Sequence, residues 1–201
     1  IDTRNLDVDG KYRLCVSIPG RGEYVSQFKS VLVSPPIDSI TYSVAADRSY
    51  ARIEVTTHNE EQKSKLYCKW SYSENWESDA VHPSELVYDM KTQIMRELDL
   101  TEIDERHYCF SESVSVGTHI ANTEKLSENV IYKSVINEIS KTDTKLMRLY
   151  SILVRQTALD KEAYMYWENI KNNTTSTGGL FGPQPSEVRG NIESKTVPEE
   201  I

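Results

Sequence analysis

The chain alternates apolar and polar residues in short runs, and turn-forming residues separate the runs. Lys11-Tyr-Arg-Leu-Cys-Val-Ser-Ile18 predicts a strand on this pattern. Pro19-Gly20-Arg21-Gly22 reads as a turn, and Tyr24-Val-Ser-Gln-Phe28 starts the return strand. Ile37 to Val44, Arg52 to Thr57 and Leu66 to Tyr72 predict three further strands, with a polar turn from His58 to Gln62 between the last two. Tyr108 to Val116, Val130 to Ile136 and Tyr150 to Thr157 follow. Short strands spaced by about ten residues, with turns between them, indicate a β-sandwich. In the last strand Ile152 and Val154 fall on one face, and Leu153 and Arg155 on the other.

Two places break the pattern. Ser34-Pro35-Pro36 is the candidate domain boundary, because two prolines block both helix and ladder and stiffen a connector. Residues 1–34 then read as the closing hairpin of a small β domain whose beginning is absent, and 35–201 as the sandwich. The second break runs from Glu74 to Arg106 and reads as an insertion between sandwich strands. Leu86, Met90, Ile94 and Leu98 have helical spacing there, so a helix is one reading of it and an irregular insertion the other.

The stretch Tyr150–Gly190 has the most consistent local signals. Asp160 stands where an N-cap belongs, and Leu159 and Tyr164 are placed as a hydrophobic staple around it. Ala163, Tyr166, Trp167 and Ile170 share one face of a helix over about 160–173. Gly178-Gly179 ends the unit. Pro183 and Pro185 favour extended backbone, and Val188 to Ile192 reads as a short return strand. Arg155, Glu168, Glu187 and Arg189 are candidates for an ion network pinning helix to sheet. Leu180 and Phe181 sit in a Gly-Pro loop, where they either tuck under the helix or meet a partner.

Composition narrows the function classes. Charged residues make up 27% of the 201 residues and hydrophobic ones 38%, which fits a folded globular chain. The net charge of -8 argues against nucleic acid and against adsorption on an anionic membrane face. No apolar run is long enough to span a membrane. The three cysteines Cys15, Cys68 and Cys109 permit at most one internal disulfide. A Cys68–Cys109 bridge is one reading, and lone buried thiols are the other.

Catalytic patterns are absent from the sequence: there is no G-x-S-x-G elbow, phosphate-cradling glycine loop, H-E-x-x-H or C-x-x-C. His58, His82, His107 and His119 are scattered, and Glu97, Asp99, Glu102, Asp104 and Glu105 read as a solvated acidic face. Asp7-Val-Asp9-Gly10 lacks the remaining positions of a calcium loop and reads as a turn. The chain is therefore expected to be non-enzymatic, with no cofactor and no metal.

Several pieces together closely resemble one family. They are Tyr150-Ser-Ile-Leu-Val-Arg-Gln156, Glu162-Ala-Tyr-Met-Tyr-Trp167 and Gly179-Leu-Phe-Gly-Pro-Gln-Pro-Ser-Glu-Val-Arg-Gly-Asn191. Ser34-Pro-Pro-Ile-Asp-Ser-Ile40, Tyr67-Cys-Lys-Trp-Ser-Tyr72 with Trp76-Glu77, and Ser127-Glu-Asn-Val-Ile131 agree with them. The family is domain of unknown function four-two-four-nine, of Bacteroidetes-type bacteria. The resemblance covers nearly the whole chain.

The resemblance implies a mainly β fold. It would be a fibronectin-III or immunoglobulin-like sandwich with an inserted segment and one carboxy-terminal helix, preceded by the end of a carboxypeptidase-regulatory-like β domain. It implies an outer-membrane surface lipoprotein, anchored through a cysteine ahead of these residues, since no lipobox precedes Cys15, Cys68 or Cys109. The expected role is an accessory subunit that docks on a TonB-dependent β-barrel of the SusC type for nutrient capture or uptake. Other surface lipoproteins are further candidate partners. The alternative is a structural subunit of another outer-membrane assembly, such as a secretion or barrel-assembly complex. Arg155, Tyr164, Trp167, Leu180, Phe181, Pro183, Pro185, Glu187 and Arg189 are the expected structural-signature or partner-contact residues.

Overall fold

The computed structural model describes residues 6–60, 64–80, 84–175 and 188–195, apart from the side chains at 104 and 175. The amino-terminal part holds β1 (Lys11–Tyr12), β2 (Cys15–Ile18), β3 (Gly22–Ser26) and β4 (Lys29–Ser30). The turn between β2 and β3 places Gly20 at φ 78°, where a side chain would be strained. After Pro35-Pro36 come β5 (Ile37–Val44), β6 (Tyr50–His58) and β7 (Tyr67–Asp79). Then follow β8 (Leu86–Asp89), β9 (Ile94–Glu97), α1 (Leu100–Glu105), β10 (Tyr108–Val114), β11 (His119–Asn122), β12 (Val130–Ser140), β13 (Leu149–Ala158), α2 (Lys161–Thr175) and β14 (Ile192–Ser194). The fold is mainly β with one main helix, as the strand pattern predicts.

Two antiparallel sheets carry the core. One has β7 at its centre, with β13 along one side and β10 and β11 end to end along the other. The second has the order β12-β6-β5. Their inner faces enclose Ile53, Val55, Leu66, Cys68, Trp70, Ile131, Ile136 and Ile139, with Ile152 and Val154 packed against them. The alternation in β13 is as the sequence predicts: Tyr150, Ile152 and Val154 turn inward, while Leu153 and Arg155 are exposed. A smaller sheet, β14-β3-β2, pairs Ile192 with Ser26, so it draws on both ends of the described chain.

The helix over Leu86, Met90, Ile94 and Leu98 does not form; β8 and β9 make a hairpin there. Asp89 accepts from the Lys91 amide at 2.8 Å, and Gln93 takes φ 57°, which together close a turn where the helix would run. The apolar stripe also has no core to sit on, because Met90 is 82% exposed and only Leu98 is buried. A second departure is the length of β7, which continues through Glu74 to Asp79 where the sequence suggests an insertion. The Cys68–Cys109 bridge is absent too. Cys68 lies opposite Ala121 and Cys109 opposite Ser78, ten positions apart along β7, and all three thiols are free. Burial pushes the Cys68 thiol up to about 12, so it stays a protonated, inert core residue.

Candidate functional site

Helix α2 starts on a built cap. The Asp160 carboxylate accepts from the Ala163 amide at 2.7 Å, and Lys29 ion-pairs with it at 2.9 Å and with Glu162 beside it. Burial works against ionisation of Asp160, but the Ala163 amide and Lys29 hold its carboxyl below the ordinary value. Lys161 pairs with Glu124. The helix lies on the outer face of the β7 sheet. Tyr164 meets Tyr67 with ring centroids 5.4 Å apart, and Lys69 Nζ sits 3.1 Å over the Trp167 ring. Tyr164 is buried, Trp167 is half-buried, and Tyr166 turns to solvent rather than sharing their face.

Among the described residues, nothing packs on the other half of that outer face. Register places Phe110, Glu77 and Leu149 in one row across three strands, and Val114, Ser73 and Leu153 in another. Phe110, Val114, Leu149 and Leu153 are all exposed. Asn75, Glu77, Phe110, Glu112, Leu149 and Ser151 line a shallow hollow of about 430 Å³. Arg148 closes its margin, pairing with Glu77 at 2.8 Å and Asp79 at 3.0 Å and stacking over Tyr108.

Inside the sandwich, Glu74 is 2% exposed and fully engaged. It pairs with Lys145, accepts from the Tyr150 hydroxyl at 2.8 Å and accepts from the Asn137 amide at 3.1 Å. Burial and the adjoining Glu74 push the Tyr150 phenol far up. Lys145 also lies 4.9 Å from the centre of the Trp76 ring. This cluster holds a charge without exposing it, which suits structure and not proton transfer to a substrate. The histidines are equally dispersed. His58 meets Asp38 at 2.8 Å, which raises its pKa; His119 is desolvated beside Tyr72, which lowers its own; His107 lies 3.7 Å from Asp79. His82 is outside the described residues. Among the described residues, no three or more His, Cys, Asp or Glu gather to hold a metal, and no helix is long and apolar enough to cross a membrane.

Across residues 2–201 the chain matches the model of the family described as Domain of unknown function (DUF4249). The chain belongs to the DUF4249 family. Comparison with curated proteins and with solved structures finds no match.

The motif pieces of this DUF4249 chain meet in space. Trp70 Nε1 donates to Gln156 Oε1 at 2.8 Å, and Gln156 Nε2 donates to the Pro35 carbonyl at 2.9 Å and to Thr57 Oγ1 at 3.1 Å. Thr57 donates on to the Pro36 carbonyl at 2.8 Å. The Ser-Pro-Pro, Cys-Lys-Trp and Val-Arg-Gln pieces thus form one buried node. Asn129 forms another, accepting from Thr123 at 3.0 Å and donating to the Ser64 carbonyl at 2.9 Å.

Of the expected Arg–Glu network, Glu187 lies outside the described residues, and Arg155 and Arg189 stand at different sheets. Arg155 is exposed on β13, whereas Arg189 precedes β14, which pairs with β3. Lys29 pairs with Asp160 and Glu162, and Lys161 with Glu124, at the start of α2. Leu180, Phe181, Pro183, Pro185 and Glu187 lie outside the described residues. Sequence reasoning passed over Glu74, Lys145 and Gln156, since nothing local marks a polar residue that will face inward.

Proposed function

We propose that this DUF4249 chain is a non-enzymatic accessory protein of the bacterial outer-membrane surface. It is held by a lipid anchor and docks on a TonB-dependent β-barrel of the SusC type to assist nutrient capture or uptake. The observation that carries this reading is the half of the β7 sheet's outer face on which no described residue packs. Phe110, Val114, Leu149 and Leu153 stand exposed around a polar centre, the arrangement expected of a protein contact rather than of a reaction cleft. The candidate acids and bases support it as well. Glu74 is saturated by its partners, His58 pairs with Asp38, and His119 stacks on Tyr72.

Co-purification from detergent-solubilised outer membranes tests the reading. The full-length protein is expected to bring down a TonB-dependent barrel, and Phe110→Glu with Leu149→Glu to lose it while remaining folded. Recovery as a free monomer, or with a secretion or barrel-assembly complex instead, contradicts it.

A further inference from the structure

Among the described residues, β13 pairs with β7 on one side and with no strand on the other. Hydrogen bonding in β13 follows residue parity. The Leu159 amide donates to the Tyr67 carbonyl, so odd-numbered residues face β7. Even-numbered residues therefore direct both backbone groups to the free edge. Ser34 caps the end of that edge: its hydroxyl accepts from the Ala158 amide at 2.6 Å and donates to the Gln156 carbonyl at 3.4 Å. Ile152 and Val154 have no such cap, and their edge-directed groups have no partner among the described residues.

The opposite sheet is bare at the same place. Ser34 and Pro35 fasten to the end of β13, and β5 begins just after that anchor. In the order β12-β6-β5 the β12 edge meets β11, which leaves β5 as the edge on the β13 side. Ile40 and Tyr42 pair with the core residues Val55 and Ile53, and Val44 with Ala51 in the same row, so they share the inner face. Even so, they are 44%, 75% and 54% exposed. One more strand beside β13 would satisfy Ile152 and Val154 and cover all three.

Charge specifies that strand further. Arg155 is the one charged residue of β13, lies on the outer face beside the open edge and makes no ion pair among the described residues. We infer that the β13 edge accepts an extended segment of another polypeptide, apolar on its inward face and carrying a carboxylate outward next to Arg155. The segment completes the sandwich by strand addition. This inference stands apart from the outer-membrane reading, because the test uses the purified chain and no barrel.

The test is fluorescence anisotropy with a labelled synthetic peptide, Lys-Val-Thr-Val-Glu-Val-Thr-Val-Lys, and its Glu-to-Lys counterpart. The Glu peptide is expected to bind, and Arg155→Glu to weaken it about fivefold while favouring the Lys peptide. Tyr42→Lys should weaken both by about tenfold through lost apolar contact. Both side chains are exposed, so neither change threatens folding; Lys91→Glu on the β8–β9 turn should change nothing. Absence of binding, or binding indifferent to Arg155 and Tyr42, overturns the inference. So does a concentration-dependent dimer of the chain that competes with the peptide.

Discussion

Glu74 is a buried carboxylate at the centre of an interior polar cluster. An inward carboxylate in a sandwich is costly unless its oxygens are filled, and here Lys145, Tyr150 and Asn137 fill them. Glu74→Ala leaves the Lys145 ammonium largely uncompensated. A loss of about 3 kcal/mol is expected in urea denaturation, at the low end for a broken buried pair because Lys145 is 20% exposed. Glu74→Leu with Lys145→Met should recover most of it, since an apolar pair needs no compensation. The histidines offer a separate check by NMR titration. Asp38 raises the His58 pKa, so its stabilisation is full below the ordinary histidine value and fades as pH rises through the raised one. Burial lowers the His119 pKa, so stability falls as pH drops from the ordinary value towards the lowered one. Titration of His58 below His119 would contradict both environments. The outward residues were readable from period-two alternation, as in Leu153 and Arg155. Glu74 was not, because only distant partners make its inward placement tolerable.

At the scale of elements, α2 shows how local signals and tertiary contacts divide the work. The Asp160 cap and the apolar spacing are local, and both are visible in the sequence. Asp160→Ala removes the cap and a Lys29 contact together, and should cost about 1–2 kcal/mol in thermal or urea denaturation. The helix face is set by what lies beneath it. Tyr164 packs on Tyr67, whereas Trp167 is half-buried under Lys69, so Tyr164→Ala should cost about 3–4 kcal/mol and Trp167→Ala about 1–2 kcal/mol. The reverse order would mean that the helix sits rotated on its sheet. The β8–β9 hairpin is the opposite case. Its helical spacing was a coincidence of period, and Asp89 and Gln93 decided the turn. Short apolar runs without a buried face leave helix and strand close in energy, so spacing alone misleads there.

At the scale of the whole molecule, strand spacing was enough to read a β-sandwich, because each strand's alternation reports a half-buried surface. The sheet order was not readable, since it depends on pairings between distant segments such as β11 with β7 and β14 with β3. The open side was hidden for the same reason. Nothing in Ile40-Thr-Tyr-Ser-Val44 reveals that no described strand lies beside β13; the gap is visible only once both sheets are assembled. The proposed strand acceptor uses that gap, and the exposed row of Phe110 and Leu149, the surface proposed for barrel docking, lies on the outer face of the same sheet. Residue-resolved amide hydrogen exchange along β13 tests this most directly. In the free protein the amides of Leu153 and Arg155, bonded to β7, should exchange slowly, and those of Ile152 and Val154 fast. Addition of the Glu peptide should slow the fast pair. Slow exchange at Ile152 and Val154 in the free protein, or no change on addition of the peptide, would contradict an open, strand-accepting edge.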